Sequence, residues 1–120
     1  MSQPDLQRID LDHLRRYTGD DEALTAEVLG MFGGQVGMWL RMLDPEGDRE
    51  AWRSAAHAIK GSAATVGAAR LAGLCARAEA TEADAAGRAW LRDEIEAEAG
   101  EVRAEIARWE YARVMRGLSG

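Results

Sequence analysis

Cysteine and proline are scarce in this chain, and long apolar runs are missing altogether. The one cysteine, Cys75, has no partner for an intramolecular disulfide and no metal-ligand spacing around it. That fits a reducing compartment and argues against a disulfide-stapled or metal-held fold. The two prolines, Pro4 and Pro45, fall at turns by position, so long helices meet no breaker. No apolar stretch approaches the ~18 residues that a membrane span requires. The opening "MSQPDLQRID" shows no charged segment followed by an apolar one, so no secretory signal is expected and the cytoplasm is the expected location. Basic residues number 15 against 21 acidic ones, a formal charge of −6, and no basic stripe interleaves with aromatics. Nucleic acid is therefore not an expected partner. Sustained apolar–polar alternation is also lacking and β-branched residues are few, which leaves no segment reading as a strand.

What the chain does have is helical punctuation. Its 120 residues suffice for one domain and are too few for two, and 47% apolar with 30% charged content is that of a folded chain. Asp10 suits the cap of a short helix, "LDHLRRY", stopped at Thr18-Gly19. Asp20 opens a second helix, with Asp21 and Glu22 at the positive end of its dipole. The apolar stripe of that helix reads Leu24, Val28, Phe32, Val36, Trp39 and Leu43, ending at "DPEGD". Gly30, Gly33, Gly34 and Gly37 weaken it by roughly 1 kcal/mol each if exposed, or else allow close packing. A third helix follows Asp48 with the stripe Trp52, Ala56, Ile59, Ala63 and Val66, and Gly67 breaks it. A fourth carries Leu71, Leu74, Cys75 and Ala78, with Cys75 packing as a small hydrophobe. After "TEADAAG" a fifth carries Leu91, Ile95, Ala99, Val102, Ile106 and Trp109. Trp39, Trp52 and Trp109 lie on core stripes, whereas Trp90 lies off its stripe and is expected to be partly exposed. The expected architecture is all-α: an antiparallel up-and-down four-helix bundle with a short additional N-terminal helix. One domain spans 1–120, its core at about 9–110. In the tail 111–120, Tyr111, Val114, Met115 and Leu118 would extend the last helix, whereas the glycines favour fraying.

The segment "AAHAIKGSAATVGAARLAGLC" raises a chemical question, because His57 stands one turn ahead of Lys60 and Gly61 amid alanine. At ~100° per residue the core stripe of this helix lies roughly 140° from His57, whereas Arg53, Lys60, Gly61 and Ala64 lie within about 60°. His57 is thus an outer-face residue. An imidazole exposed to water is largely neutral near pH 7 and hence nucleophilic. A cation one turn on and a cleared space suggest transfer of an anionic group, phosphoryl being the obvious one. The plain alternative is a solvated surface histidine, which is how His13 reads, with no lysine–glycine pair after it.

These residues resemble the signature of histidine-containing phosphotransfer (HPt) domains, roughly H-x-L-K-G-S-A, then G-A, L-x-x-L-C and an acidic or amide residue. Here the matching positions are His57, Ile59, Lys60, Gly61, Ser62 and Ala63, then Gly67-Ala68, Leu71, Leu74-Cys75 and Glu79. Upstream, "DLDHLRRYTGDDEALTAEVLGMF" is similar to the family's opening helix, its Gly-Asp turn and the start of its second helix. The departures are Ile59 in place of leucine, and the small residues Gly33, Gly34 and Gly37 where larger ones are usual.

The resemblance implies a phosphoacceptor at His57, using Nε2. It implies that Lys60 stabilises phosphohistidine charge and that Gly61 leaves room for a partner's active site. Glu79 would accept a hydrogen bond from Nδ1–H; a solvated helix-face acid is the alternative. Arg53, Ser62 and Ala64 would meet the partner, although Ser62 is equally suited to bonding a carbonyl of its own helix. The implied role is a phosphorelay intermediate, taking phosphoryl from a receiver-domain phosphoaspartate and passing it to another receiver aspartate. Its partners would be response-regulator receivers and a hybrid histidine kinase. No cofactor is expected on this chain, and Mg²⁺ is expected in the partner receiver. The chain shows no kinase or ATP-binding motif, and a monomer is expected. The competing function is an HPt-like module that sequesters a receiver or kinase without being phosphorylated.

Overall fold

The computed structural model describes residues 6–119; Pro4 lies outside them. Five helices and no strand are found among the described residues. They are α1 (Leu11–Thr18), α2 (Glu22–Met42), α3 (Arg49–Thr65), α4 (Ala69–Ala80) and α5 (Ala85–Ser119). Helix starts follow the acidic caps. Asp10, Asp21 and Asp48 accept from the backbone N–H groups of His13, Leu24 and Ala51 respectively, satisfying donors that the first turn leaves unpaired. The cap of α2 is therefore Asp21 rather than Asp20. Asp84 holds the N–H of Gly87 at 3.0 Å, so α5 begins at Ala85, inside the stretch expected to precede it. At its far end α5 is helical through Ser119. Its 35 residues, at ~1.5 Å each, would run nearly the whole 54 Å length of the molecule, with 111–119 continuing the helix.

The four longer helices contact one another in a ring, α2 with α3, α3 with α4, α4 with α5 and α5 with α2, and α1 packs on α2. The stripes expected for α3 and α5 are buried, apart from the half-buried Ile106. Leu74 is half-buried on α4. On α2 the buried row is Thr25, Leu29, Phe32, Val36 and Leu40, continued by Leu43 at its C-cap. Leu24 is exposed, and Val28 and Trp39 only flank the core. The face is rotated because Thr25 is sheltered with its hydroxyl satisfied: it donates to the Asp21 carbonyl at 3.0 Å and shares a 2.8 Å bond with the Thr18 hydroxyl. Trp90 is 55% exposed, with the Arg77 guanidinium 5.9 Å from its ring centroid.

Polar anchors between helices complete the packing. Arg92 donates to the carbonyls of Leu40 and Leu43 at 3.0 Å each, covering the carbonyls at the end of α2. Gly37 admits the guanidinium of Arg103, which donates to the Gly33 carbonyl at 2.6 Å. Glu98 and Glu105 are buried on α5. Glu105 accepts the backbone N–H of Arg8 at 2.8 and 3.1 Å, and Glu98 pairs with Arg8 and, at 3.2 Å, with Arg70. Together they hold the segment before α1 against α5. The same segment reaches the α3–α4 turn, where the Asp10 N–H donates to the Gly67 carbonyl at 3.1 Å. Gly67 adopts φ +74°, and a Cβ there would lie 2.7 Å from the Asp10 carbonyl oxygen. Glycine is required at this turn on both counts.

Candidate functional site

The site is built across α3 and α4, and the core beneath it sets the register. Trp52, Ala55, Ala56, Ile59 and Ala63 bury one face of α3, while Leu71, Cys75 and Ala78 bury one face of α4. The small residues Ala55, Ala56, Ala63, Cys75 and Ala78 permit close approach, and the Trp52 indole N–H donates to the Ala78 carbonyl at 2.8 Å. Glu79, next in sequence to Ala78, is thereby brought alongside the outer face of α3.

There His57 Nδ1 lies 2.8 Å from Glu79 Oε1, and Lys60 Nζ lies 2.6 Å from Glu79 Oε2. One carboxylate thus bridges both groups. The Lys60 ammonium first, and then the His57 imidazole, hold the Glu79 carboxyl below its ordinary range, against partial desolvation that pushes it up. Glu79 is accordingly ionised at neutral pH and has no proton to give, so Nδ1 must be the donor of the 2.8 Å bond. A neutral imidazole with its proton on Nδ1 carries its lone pair on Nε2. The His57 side chain is 67% exposed, so that nucleophile is open to an incoming group.

Nitrogen NMR of His57 checks this assignment. The Nδ1–H tautomer should predominate in the neutral ring of the wild type, and Glu79→Ala should return the ring to the Nε2–H majority of a free histidine side chain. The pH dependence has a definite sign. Because the folded Glu79 value is lowered from 4.5, stabilisation from this pairing is complete above that value and is lost as pH falls through the depressed one.

The remaining candidates are placed as follows. Gly61 is exposed, and a Cβ added there would meet nothing within 4 Å, so the space beside His57 is open. Ala64 is exposed on the same face, and its carbonyl accepts from His13 Nε2 at 2.9 Å. His13 is therefore a tie between α1 and α3 rather than a solvated residue; its ring also meets Tyr17 edge-on at 5.6 Å. Ser62 is half-buried beside a small groove of about 170 Å³ between α2 and α3. Arg53, one turn before His57 on the same face, bonds Glu82 at 3.3 Å rather than Glu79. Cys75 is fully buried, and burial first, then the Glu79 charge, push its thiol up to about 12, so it supplies no thiolate.

Sequence reasoning missed Glu82 and the exposed face of α2. Leu24, Met31 and Met38 are exposed at steps of seven residues, and Met42 extends the row. Heptad spacing was the available signal. Among the described residues, no group of three or more His, Cys, Asp or Glu side chains is placed to hold a metal. No helix there is long and apolar enough to cross a membrane.

The helices thus present His57 with Nδ1 held by Glu79 and the rest of the ring largely exposed. The Hpt domain family matches residues 6–109, and the chain belongs to that family. The fold is similar to that of the histidine phosphotransferase ShpA from Caulobacter crescentus, at 29% identity and a TM-score of 0.75, over 93% of this chain and 99% of that one. No curated protein sequence matches the chain. The family and this likeness support a role in a phosphorelay.

Proposed function

We propose that this chain is a phosphohistidine carrier, with no kinase activity of its own, that takes phosphoryl from one receiver-domain aspartate and passes it to another. The carrying observation is the His57–Glu79–Lys60 bridge, which leaves Nε2 exposed while Nδ1 is held at 2.8 Å. In the forward step the Nε2 lone pair attacks phosphorus. The N–P bond forms as the P–O bond of the aspartyl phosphate breaks, and the aspartate leaves as a carboxylate. Nδ1–H keeps its proton, and Glu79 offsets the positive charge that develops on the ring. Lys60, three residues from His57, meets the phosphoryl oxygens with the ammonium hydrogens not engaged by Glu79. The reverse step is the same exchange on a second receiver. Mg²⁺, which neutralises phosphoryl charge in such transfers, belongs to the receiver in this reading.

Proteins of the HPt family interact with receiver domains and kinases. The partner surface is assigned here to Arg53, Gly61, Ser62 and Ala64 around His57, edged by α1 and by the methionine row of α2. Methionine is suited to such a surface because its flexible thioether fits more than one partner. The ring of contacts from α2 to α5 and back to α2 supports an antiparallel up-and-down four-helix bundle with α1 added. The location is taken as the cytoplasm and the working state as a monomer.

The test is transfer from a panel of receiver domains carrying radiolabelled phosphoaspartate, followed by chase onto an unlabelled receiver. Label that moves onto this chain and off again supports the proposal. Binding of receivers with no transfer in either direction overturns it in favour of a sequestering module.

A further inference from the structure

Four residues of α3, Arg49, Arg53, His57 and Lys60, stand at steps of four, four and three and so share one helix face. In a chain with a formal charge of −6, three of them, Arg49, Arg53 and Lys60, are cations set on either side of the proposed phosphoacceptor His57. Two carboxylates cover the row. Glu79 takes its inner half, Lys60 and His57, at 2.6 and 2.8 Å and is only 29% exposed. Glu82 takes the outer half, with one oxygen on Arg49 and the other 3.3 Å from Arg53. Glu82 differs in kind from Glu79. It lies beyond the end of α4, in the non-helical connection 81–84, and its side chain is 73% exposed. Its two arginines are themselves nearly half exposed, at 47% and 46%. Ion pairs this open to water contribute little net stability, so they exchange readily for another acid.

We infer that Glu82 is an electrostatic latch: it screens Arg49 and Arg53 in the free protein and yields them to acidic groups on the docking face of a receiver partner. The inference rests on the phosphotransfer reading for the identity of the partner. The positions favour this arrangement, since Arg53 is one turn and Arg49 two turns from His57, within reach of a surface closing over Nε2. Charge complementarity of this kind acts mainly on the rate of association and is screened by salt. Glu82 thus sets how fast this chain meets an acidic partner, while Glu79 and Lys60 serve the transfer itself.

The experiment measures association rate by stopped flow, using the receiver domain that exchanges phosphoryl fastest in the panel above. Four forms are compared: wild type, Glu82→Gln, Arg49→Gln/Arg53→Gln, and all three substitutions together. At about 50 mM salt, Glu82→Gln should associate roughly two- to fourfold faster, and the gain should vanish near about 500 mM. The arginine double variant should be slower than wild type, and adding Glu82→Gln to it should recover little, because the latch then has nothing to hold. Glu101→Gln, an exposed α5 position, removes the same unit of charge as a control. The latch is overturned if Glu82→Gln gains as much without the arginines as with them, or no more than Glu101→Gln does. If no receiver in the panel exchanges phosphoryl with the wild type, the phosphotransfer reading fails first and the latch falls with it. The two failures are therefore distinct.

Discussion

Replacing Trp52 with alanine is expected to destabilise the protein by about 3–5 kcal/mol, read as a fall in the urea midpoint by circular dichroism. Trp52 is 2% exposed and among the largest buried side chains, and its indole N–H caps the Ala78 carbonyl at 2.8 Å. That carbonyl lies in the last turn of α4, where helix carbonyls have no partner within the helix. The substitution therefore opens a cavity between α3 and α4 and strips a buried acceptor as well. Against the ~5–15 kcal/mol typical of a whole domain, this is a large fraction. Trp52→Phe keeps most of the packing and loses the hydrogen bond, so its cost should be smaller, about 1–3 kcal/mol. The contact also sets the position of Glu79 opposite His57. A Trp52→Ala protein that still folds at low temperature should show a weakened Nδ1–H tautomer preference at His57. A midpoint unchanged from wild type would mean that the α3–α4 contact does not carry the stability assigned to it.

The second large effect separates chemistry from stability. His57→Gln should abolish phosphoryl acceptance completely, since no other outer-face nucleophile stands beside Lys60 and Gly61. Its stability should stay within about ±0.5 kcal/mol of wild type, because the side chain is 67% exposed and Lys60 still pairs with Glu79 in its absence. The paired measurements are thermal unfolding and transfer from a labelled receiver. Residual transfer near the wild-type rate would remove His57 from the acceptor role, and a large fall in melting temperature would make it a structural residue.

Legibility followed physical scale. The caps Asp10 and Asp48, the α3 stripe and the outward aim of His57 could be read directly, because each is a local matter of helix spacing and first-turn hydrogen bonding. The bridge needed the third dimension. Glu79 lies 22 positions from His57, and only the resemblance to HPt domains connected them before their 2.8 Å contact was in view. On α2, Phe32, Val36 and Leu43 were read as core correctly, whereas Leu24, Val28 and Trp39 fell one position short of the buried Thr25, Leu29 and Leu40. Thr25 is buried once Thr18 and the Asp21 carbonyl satisfy its hydroxyl. On α5, apolar residues alone gave Leu91, Ile95, Ala99, Val102, Ile106 and Trp109. The buried row that steps by four and three, Leu91, Ile95, Glu98, Val102, Glu105 and Trp109, includes two acids. The Arg8 guanidinium on Glu98 and the Arg8 backbone N–H on Glu105, both from the segment before α1, make the burial of these carboxylates tolerable. Glu82 had no sequence signal at all, since nothing in a four-residue connection says which helix its side chain will meet.

The central claim is that phosphoryl is carried on His57 Nε2, and site mapping of the labelled protein tests it most directly. The protein is charged by a receiver phosphoaspartate, digested under alkaline conditions and sequenced by mass spectrometry, with phosphorus NMR assigning the ring nitrogen. The account predicts a single phosphoryl group on His57, bonded through Nε2, stable to alkali and released by acid. Phosphoryl found on His13, on an oxygen of an aspartate or serine, or on Nδ1 of His57 would contradict it.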